Sequence, residues 1–121
     1  MKELLLVSIG SFFGGGLRYV AGKGVALFLS ASFPWSTLAV NVAGSFLIGF
    51  LSSLFLGGSL SHSARLLLVT GFCGGFTTFS TFVNENLLLA RGGQLLWAVV
   101  YTLASVVLGM TALLVGYKAG Q

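Results

Sequence analysis

Residues 71–82 of the chain read GFCGGFTTFSTF. Three glycines, four hydroxyl side chains and four phenylalanines thus fall within about three helical turns. Hydroxyls donate and accept hydrogen bonds, and a phenyl ring presents a negative face and a positive edge. Edges turned inward offer an anion partial positive charge without the trapping strength of a full one, and conduction requires sites that are favourable but weak. Gly74 and Gly75 loosen the backbone, while Thr77, Thr78, Ser80 and Thr81 compete for its hydrogen bonds. Irregular polar backbone in so apolar a stretch survives only where it is buried in protein or lines a cavity, so the run points to a permeation or substrate site. Phe72, Phe76, Phe79 and Phe82 follow steps of four, three and three, so an unbroken helix would place all four on one stripe. Such a stripe is core or lipid-facing unless the surrounding hydroxyls make it a route.

Other polar residues stand in equally apolar surroundings. Thr37, Asn41 and Ser45 recur every fourth residue and share a helix face. Asn41 reads either as a hydrogen bond between helices or as a pore-lining donor. Tyr101 and Ser105 form a second polar row, which Gly109 continues without a side chain. On spacing alone, that row is better accounted for by backbone carbonyl partners than by a pore. Arg18 lies about a dozen residues from either end of its apolar run, so it faces protein or water rather than lipid. Glu85 sits one turn beyond Phe82 and six residues before Arg91. It reads either as a group at the mouth of a route or as half of a local pair.

Several kinds of chemistry are excluded by count. The chain of 121 residues has two acidic residues, one histidine and one cysteine, Cys73. Scattered as they are, they offer no acid–base pair, no nucleophile–base pair, no structural zinc site and no intrachain disulfide, so an enzyme is not expected. Six Lys and Arg give a net charge of +4, too few and too dispersed for a nucleic-acid surface.

The elements that must position these residues are membrane helices. Hydrophobic residues make up 56% of the chain and charged residues 7%, far below the roughly one quarter of a soluble domain. Four apolar stretches, at about residues 4–29, 35–56, 64–90 and 94–117, each reach the ~20 residues that a bilayer core requires. Together they form one domain over residues 1–121. Lys2 followed by an apolar run has a slight look of a signal peptide, but without a persuasive cleavage site it reads as the first span. Pro34 opens the second span, Trp35, Trp97 and Tyr117 stand near span ends, and Gly57-Gly58-Ser59 and Arg91-Gly92-Gly93 read as turns.

Four spans place both termini on one side. Lys2, Arg65 and Lys118 fall on that side and Lys23 and Arg91 on the other, with Arg18 displaced toward the latter. This near-balance fits either a weak orientation bias or insertion in both directions with antiparallel pairing. The motifs Gly10-x-x-x-Gly14 and Gly71-x-x-x-Gly75, in so short a chain with intramembrane polar groups, favour a homo-oligomer.

The 71–82 segment resembles the signature of the Fluc (CrcB-type) fluoride channels. The likeness extends to Gly-Gly-Gly-Leu-Arg18-Tyr19 in the first span and to the stretch from Thr37 through Asn41 to Ser45 in the second. It covers essentially the whole chain, with the fourth span matched only loosely. The resemblance implies an all-α membrane protein of four transmembrane helices, the third broken mid-membrane, in an antiparallel dual-topology homodimer. It implies two fluoride pores and a structural sodium ion at the dimer interface, with lipid around the whole and the cell inner (plasma) membrane as location. By the same resemblance, Phe79 and Phe82 present ring edges to fluoride, Asn41 donates to it, and Ser80 and Thr81 supply polar positions beside the rings. Tyr101 and Ser105 begin a fourth-span polar track that Gly109 cuts short. Arg18 lies near a vestibule, Glu85 matches an acidic position without a firm role, and backbone carbonyls of Gly74 and Thr77 hold the sodium. Independently of any resemblance, a strongly hydrated small anion needs amide and hydroxyl donors, and a broken helix frees carbonyls suited to a hard cation.

The rival class is a small dual-topology, proton-coupled exporter of cationic compounds. It needs an acidic residue mid-membrane, whereas the first span offers Arg18, with Glu3 only at its edge. A purely structural membrane subunit would have no use for a glycine-broken, hydroxyl-rich third span.

Overall fold

The computed structural model describes every residue except Ser30 and Ala31. Among the described residues all regular secondary structure is helical. Helix α1 spans Lys2–Phe28, α2 spans Trp35–Leu56, α3 residues 62–76, α4 Ser80–Arg91 and α5 Leu95–Ala119. Helices α3 and α4 are the two halves of one span, His62–Arg91, so four apolar helical spans of 27, 22, 30 and 25 residues result. Each is long enough to cross a bilayer, which makes this a multi-pass membrane protein.

Both glycine turns close the helix before them in the same way. After α2, Ser59 N–H donates to Leu54 O and Gly58 N–H to Phe55 O; after α4, Gln94 N–H donates to Leu89 O and Gly93 N–H to Ala90 O. This Schellman closure needs a left-handed residue, supplied by Gly58 at φ 83° and Gly93 at φ 78°. Ser61 caps α3, accepting from Ala64 N–H at 3.1 Å.

Packing is by glycine against backbone. A Cβ on Gly10 would strike Leu67 O, and one on Gly14 would strike Phe72 O. From the other side, Gly71 abuts Val7 O and Gly75 abuts Ser11 O. The two Gly-x-x-x-Gly motifs therefore face each other within one chain and join α1 to α3. The close approach these motifs permit is thus used within the chain, so the motifs themselves give no separate support for a homo-oligomer. Gly49 and Gly116 do the same for α2 and α5, lying against the carbonyls of Leu113 and Phe46. Large apolar side chains such as Phe12, Phe13, Val107, Met110 and Leu114 point outward, while Cys73 and Tyr101 are 0% exposed. Small and polar inside with bulky apolar outside is the pattern of a protein whose solvent is lipid.

The third span is irregular for most of its first half. Leu66–Cys73 is π-helical, and one further turn, Gly74–Phe76, precedes the break. The break falls at residues 77–79, after Gly74 and Gly75 rather than at them, with Thr77 extended (φ −90°, ψ 159°). Thr77 N–H and Oγ1 both donate to Cys73 O, at 3.0 and 2.8 Å, and close the preceding turn. The four-phenylalanine stripe is interrupted accordingly. Phe72 and Phe76 stack on one another before the break, and Phe79 and Phe82 pair after it, with centroids 5.9 and 6.0 Å apart.

Candidate functional site

The break is held open from two sides. On the α2 side, the Asn41 amide pairs with both backbone groups of Thr78: Thr78 N–H donates to Oδ1 at 2.8 Å and Nδ2 donates to Thr78 O at 3.0 Å. On the α1 side, Arg18 Nε donates to Gly75 O at 3.2 Å. Thr78 Oγ1 donates to Thr81 Oγ1 at 3.1 Å and accepts Thr81 N–H at 3.3 Å, which caps the start of α4.

Among the carbonyls that the break takes out of the helical ladder are those of Gly74 and Thr77. Thr78 N–H, the regular donor to Gly74 O, is taken by Asn41; Thr81 N–H, the regular donor to Thr77 O, is taken by Thr78. Among the described residues no cluster of three His, Cys, Asp or Glu side chains could hold a metal. The released Gly74 and Thr77 carbonyls are neutral, hard oxygen donors and fit a monovalent hard cation.

Beside the break lies an open cavity of about 310 Å³, walled by Asn41, Ser45, Thr77, Thr78, Phe79, Phe82 and Ser105, with Ile48 and Val106. Four of the residues that the resemblance assigns to a fluoride route meet here, Asn41, Phe79, Phe82 and Ser105, together with Thr77 of the expected cation site. Ser105 Oγ is buried without a hydrogen-bond partner. Leaving such a group unmatched costs about 1–3 kcal/mol, so this hydroxyl is suited to a transient partner. Phe79 is 76% exposed on the single chain.

Tyr101 stands one turn before Ser105 and is tied elsewhere. Its hydroxyl donates to Glu85 Oε1 at 2.7 Å, while Thr37 Oγ1 donates to Oε2 at 2.8 Å. Glu85 is therefore held inward by α2 and α5 rather than paired with Arg91. The Tyr101 ring lies 5.0 Å from that of Phe82, which links this triad to the cavity wall. Ser80 and Thr81 do not line the cavity: Ser80 opens α4 on the exterior, and Thr81 turns toward Thr78. Arg18 lines a separate cavity of about 250 Å³ together with Lys23 and Thr37, and Thr78 forms a wall of both cavities.

Sequence reasoning gave Thr78 no role of its own, although its peptide is the pivot of the break. Its hydroxyl was visible in the motif, but the pairing with Asn41 depends on a contact across 37 residues. The helical period accounts for Thr37 on the Asn41 face but carries no signal of its carboxylate partner, Glu85.

A broken span clamped by an asparagine and an arginine, beside a cavity of rings and hydroxyls, defines a small multi-pass membrane protein with its backbone opened within an apolar span. The chain belongs to the CrcB family: that family's profile, described as CrcB-like protein, Camphor Resistance (CrcB), matches residues 5–117. The chain is 48% identical to a protein of Thermus thermophilus, over 99% of this chain and 96% of that one, named fluoride-specific ion channel FluC. Proteins of the same name from Chlorobium chlorochromatii and Chlorobaculum tepidum are 49% and 50% identical, over 94% and 96% of this chain and 88% and 92% of theirs. The family is one of ion channels, not enzymes.

Proposed function

We propose that this chain is a fluoride-selective channel that lets the ion leave the cell passively through the plasma membrane, down its electrochemical gradient. The observation that carries this reading is the cavity at the break, where Asn41, Phe79, Phe82 and the unmatched Ser105 hydroxyl converge. The relatives' name supports the identity of the ion. Fluoride holds its water strongly, so its passage requires donors that replace that water. Asn41 retains one amide N–H beyond the bond to Thr78, Ser105 Oγ is free to donate, and the Phe79 and Phe82 edges add weak positive potential. None of these groups carries a full charge, which favours release as well as binding.

The working unit in this reading is an antiparallel, dual-topology homodimer with two pores. Gly74, Phe79 and Ser80 are exposed on the single chain, at the irregular part of the third span. Non-helical backbone at membrane depth does not face lipid, so a second copy covers it. Two-fold pairing would bring the Gly74 and Thr77 carbonyls of both copies together around a sodium ion on the axis, whose role is structural and whose charge eases anion passage nearby. Ser80 and Thr81, which do not line the cavity of one chain, belong in this reading to the surface completed by the partner. Arg18 and Lys23 raise the anion concentration in their own cavity, which meets the route at Thr78.

The proton-coupled exporter finds no support in the same geometry. Glu85 is engaged by Tyr101 and Thr37, and Glu3 lies 3.1 Å from His62 at the outer end of the bundle. The test is fluoride efflux from liposomes containing the purified protein, read by a fluoride electrode against chloride efflux. Rapid release of fluoride with little chloride is expected; no fluoride release from folded protein overturns the reading.

A further inference from the structure

We propose that Ser45 is a fluoride-contacting hydroxyl in this chain, taking on α2 the place that Gly109 leaves bare on α5. The inference rests on the pore reading above and names one more donor of that route.

Three observations converge on it. The row Tyr101–Ser105 on α5 ends at Gly109, where the next side chain of the row would stand. A Cβ built on Gly109 would have one neighbour within 4 Å, Ser45 Oγ at 3.6 Å. The Ser45 hydroxyl therefore occupies the space beside which a side chain at Gly109 would emerge. Ser45 also lines the cavity shared by Asn41, Phe79, Phe82 and Ser105, one helical turn along α2 from Asn41.

The chemistry of the group is suited to a passing anion. Ser45 Oγ donates to Asn41 O at 2.8 Å. That carbonyl also belongs to the regular α2 ladder, so it stays satisfied when the hydroxyl turns away. A serine proton rotates freely about the C–O bond, so Ser45 can exchange its backbone partner for an anion and return. Asn41 differs, since its amide is committed on two sides to the Thr78 peptide. Ser45 and Ser105 are then the hydroxyls that α2 and α5 bring to the cavity, one from each helix.

A structural role and an ion-contacting role are separated by moving the hydroxyl to the other helix. Fluoride and chloride efflux are measured from liposomes carrying the wild type, Ser45→Ala, and Ser45→Ala combined with Gly109→Ser. Removal of one donor to a charged ligand lowers fluoride efflux about tenfold. The added serine at 109 has room and restores most of the flux, with thermal stability in detergent unchanged throughout. Wild-type flux in Ser45→Ala, or a loss that Gly109→Ser fails to restore, overturns the proposal while leaving the fluoride reading intact. Absence of fluoride efflux in the wild type overturns both. Should Ser45→Ala not reconstitute, Ser45→Gly removes the same hydroxyl and is scored in the same way.

Discussion

The Asn41 side chain and the Thr78 peptide form a closed two-bond pair, with Thr78 N–H 2.8 Å from Oδ1 and Nδ2 3.0 Å from Thr78 O. An amide side chain carries a donor and an acceptor side by side, so it can match the N–H and C=O of one residue at once. Asn41→Ala leaves both Thr78 backbone groups without their partner. The expected cost is about 2–4 kcal/mol, read by denaturation in detergent, with loss of fluoride efflux in whatever protein remains folded. Unchanged stability would show that the break holds its shape without the clamp.

Phe79 and Phe82 border the cavity with their rings 6.0 Å apart. Phe79→Ile and Phe82→Ile conserve apolar bulk and remove the ring quadrupole. Fluoride efflux is expected to fall at least about tenfold in each, since a small change in local binding is multiplied into the rate. Full flux in a folded double variant would remove the aromatic edges from the mechanism.

Tyr101 and Thr37 share the two oxygens of Glu85. Tyr101→Phe keeps the ring against Phe82 and Phe33 and deletes one bond to a carboxyl group. Each of Tyr101→Phe and Thr37→Val should destabilise by about 1–3 kcal/mol, and the pair should be non-additive because they act through one carboxyl group. A double-mutant cycle in thermal denaturation reads the coupling; strict additivity would show that the two hydroxyls act independently.

Within one chain, a Cβ on Gly74 meets nothing within 4 Å, whereas one on Gly49 or Gly116 collides with backbone. Gly49→Val and Gly116→Val are expected to separate α2 from α5 and reduce folded yield. Gly74→Val should leave the single chain folded and lower its dimer fraction, measured by light scattering in detergent. A Gly74→Val protein that dimerises normally would place the pairing surface elsewhere.

If sodium sits on the released carbonyls of Gly74 and Thr77, its replacement by a bulky organic cation during purification should lower both the dimer fraction and fluoride efflux. Sodium added back restores them. Indifference of both readouts, after exchange long enough to strip a tightly held ion, would exclude the site.

The broad organisation was legible in the chain because it follows from local rules. The apolar run lengths gave the four spans, and Gly58 and Gly93 gave the two turns that require a left-handed residue. The polar faces, including Thr37–Asn41–Ser45, follow from helical period alone. What escaped depends on contacts between distant segments. The glycine pairs Gly10–Gly14 and Gly71–Gly75 look the same in sequence whether they meet within a chain or between chains. The break lies after Gly74 and Gly75 because Asn41, far away in the chain, captures the Thr78 peptide. Glu85 could not be assigned a partner by spacing, since its partners Thr37 and Tyr101 come from two other spans.

The glycine pairing has a consequence for how the protein is made. The closest backbone partner of the first span is the third, and that of the second is the fourth, so each pairing skips a neighbour. As the chain leaves the ribosome, the second span enters the bilayer without the surface that will hold it, and the first waits as well. Tight seating starts only when the third span is in place and finishes with the fourth. Assembly in the membrane is therefore an interleaving of late arrivals, and the Asn41–Thr78 clamp closes only after the second and third spans are both inserted.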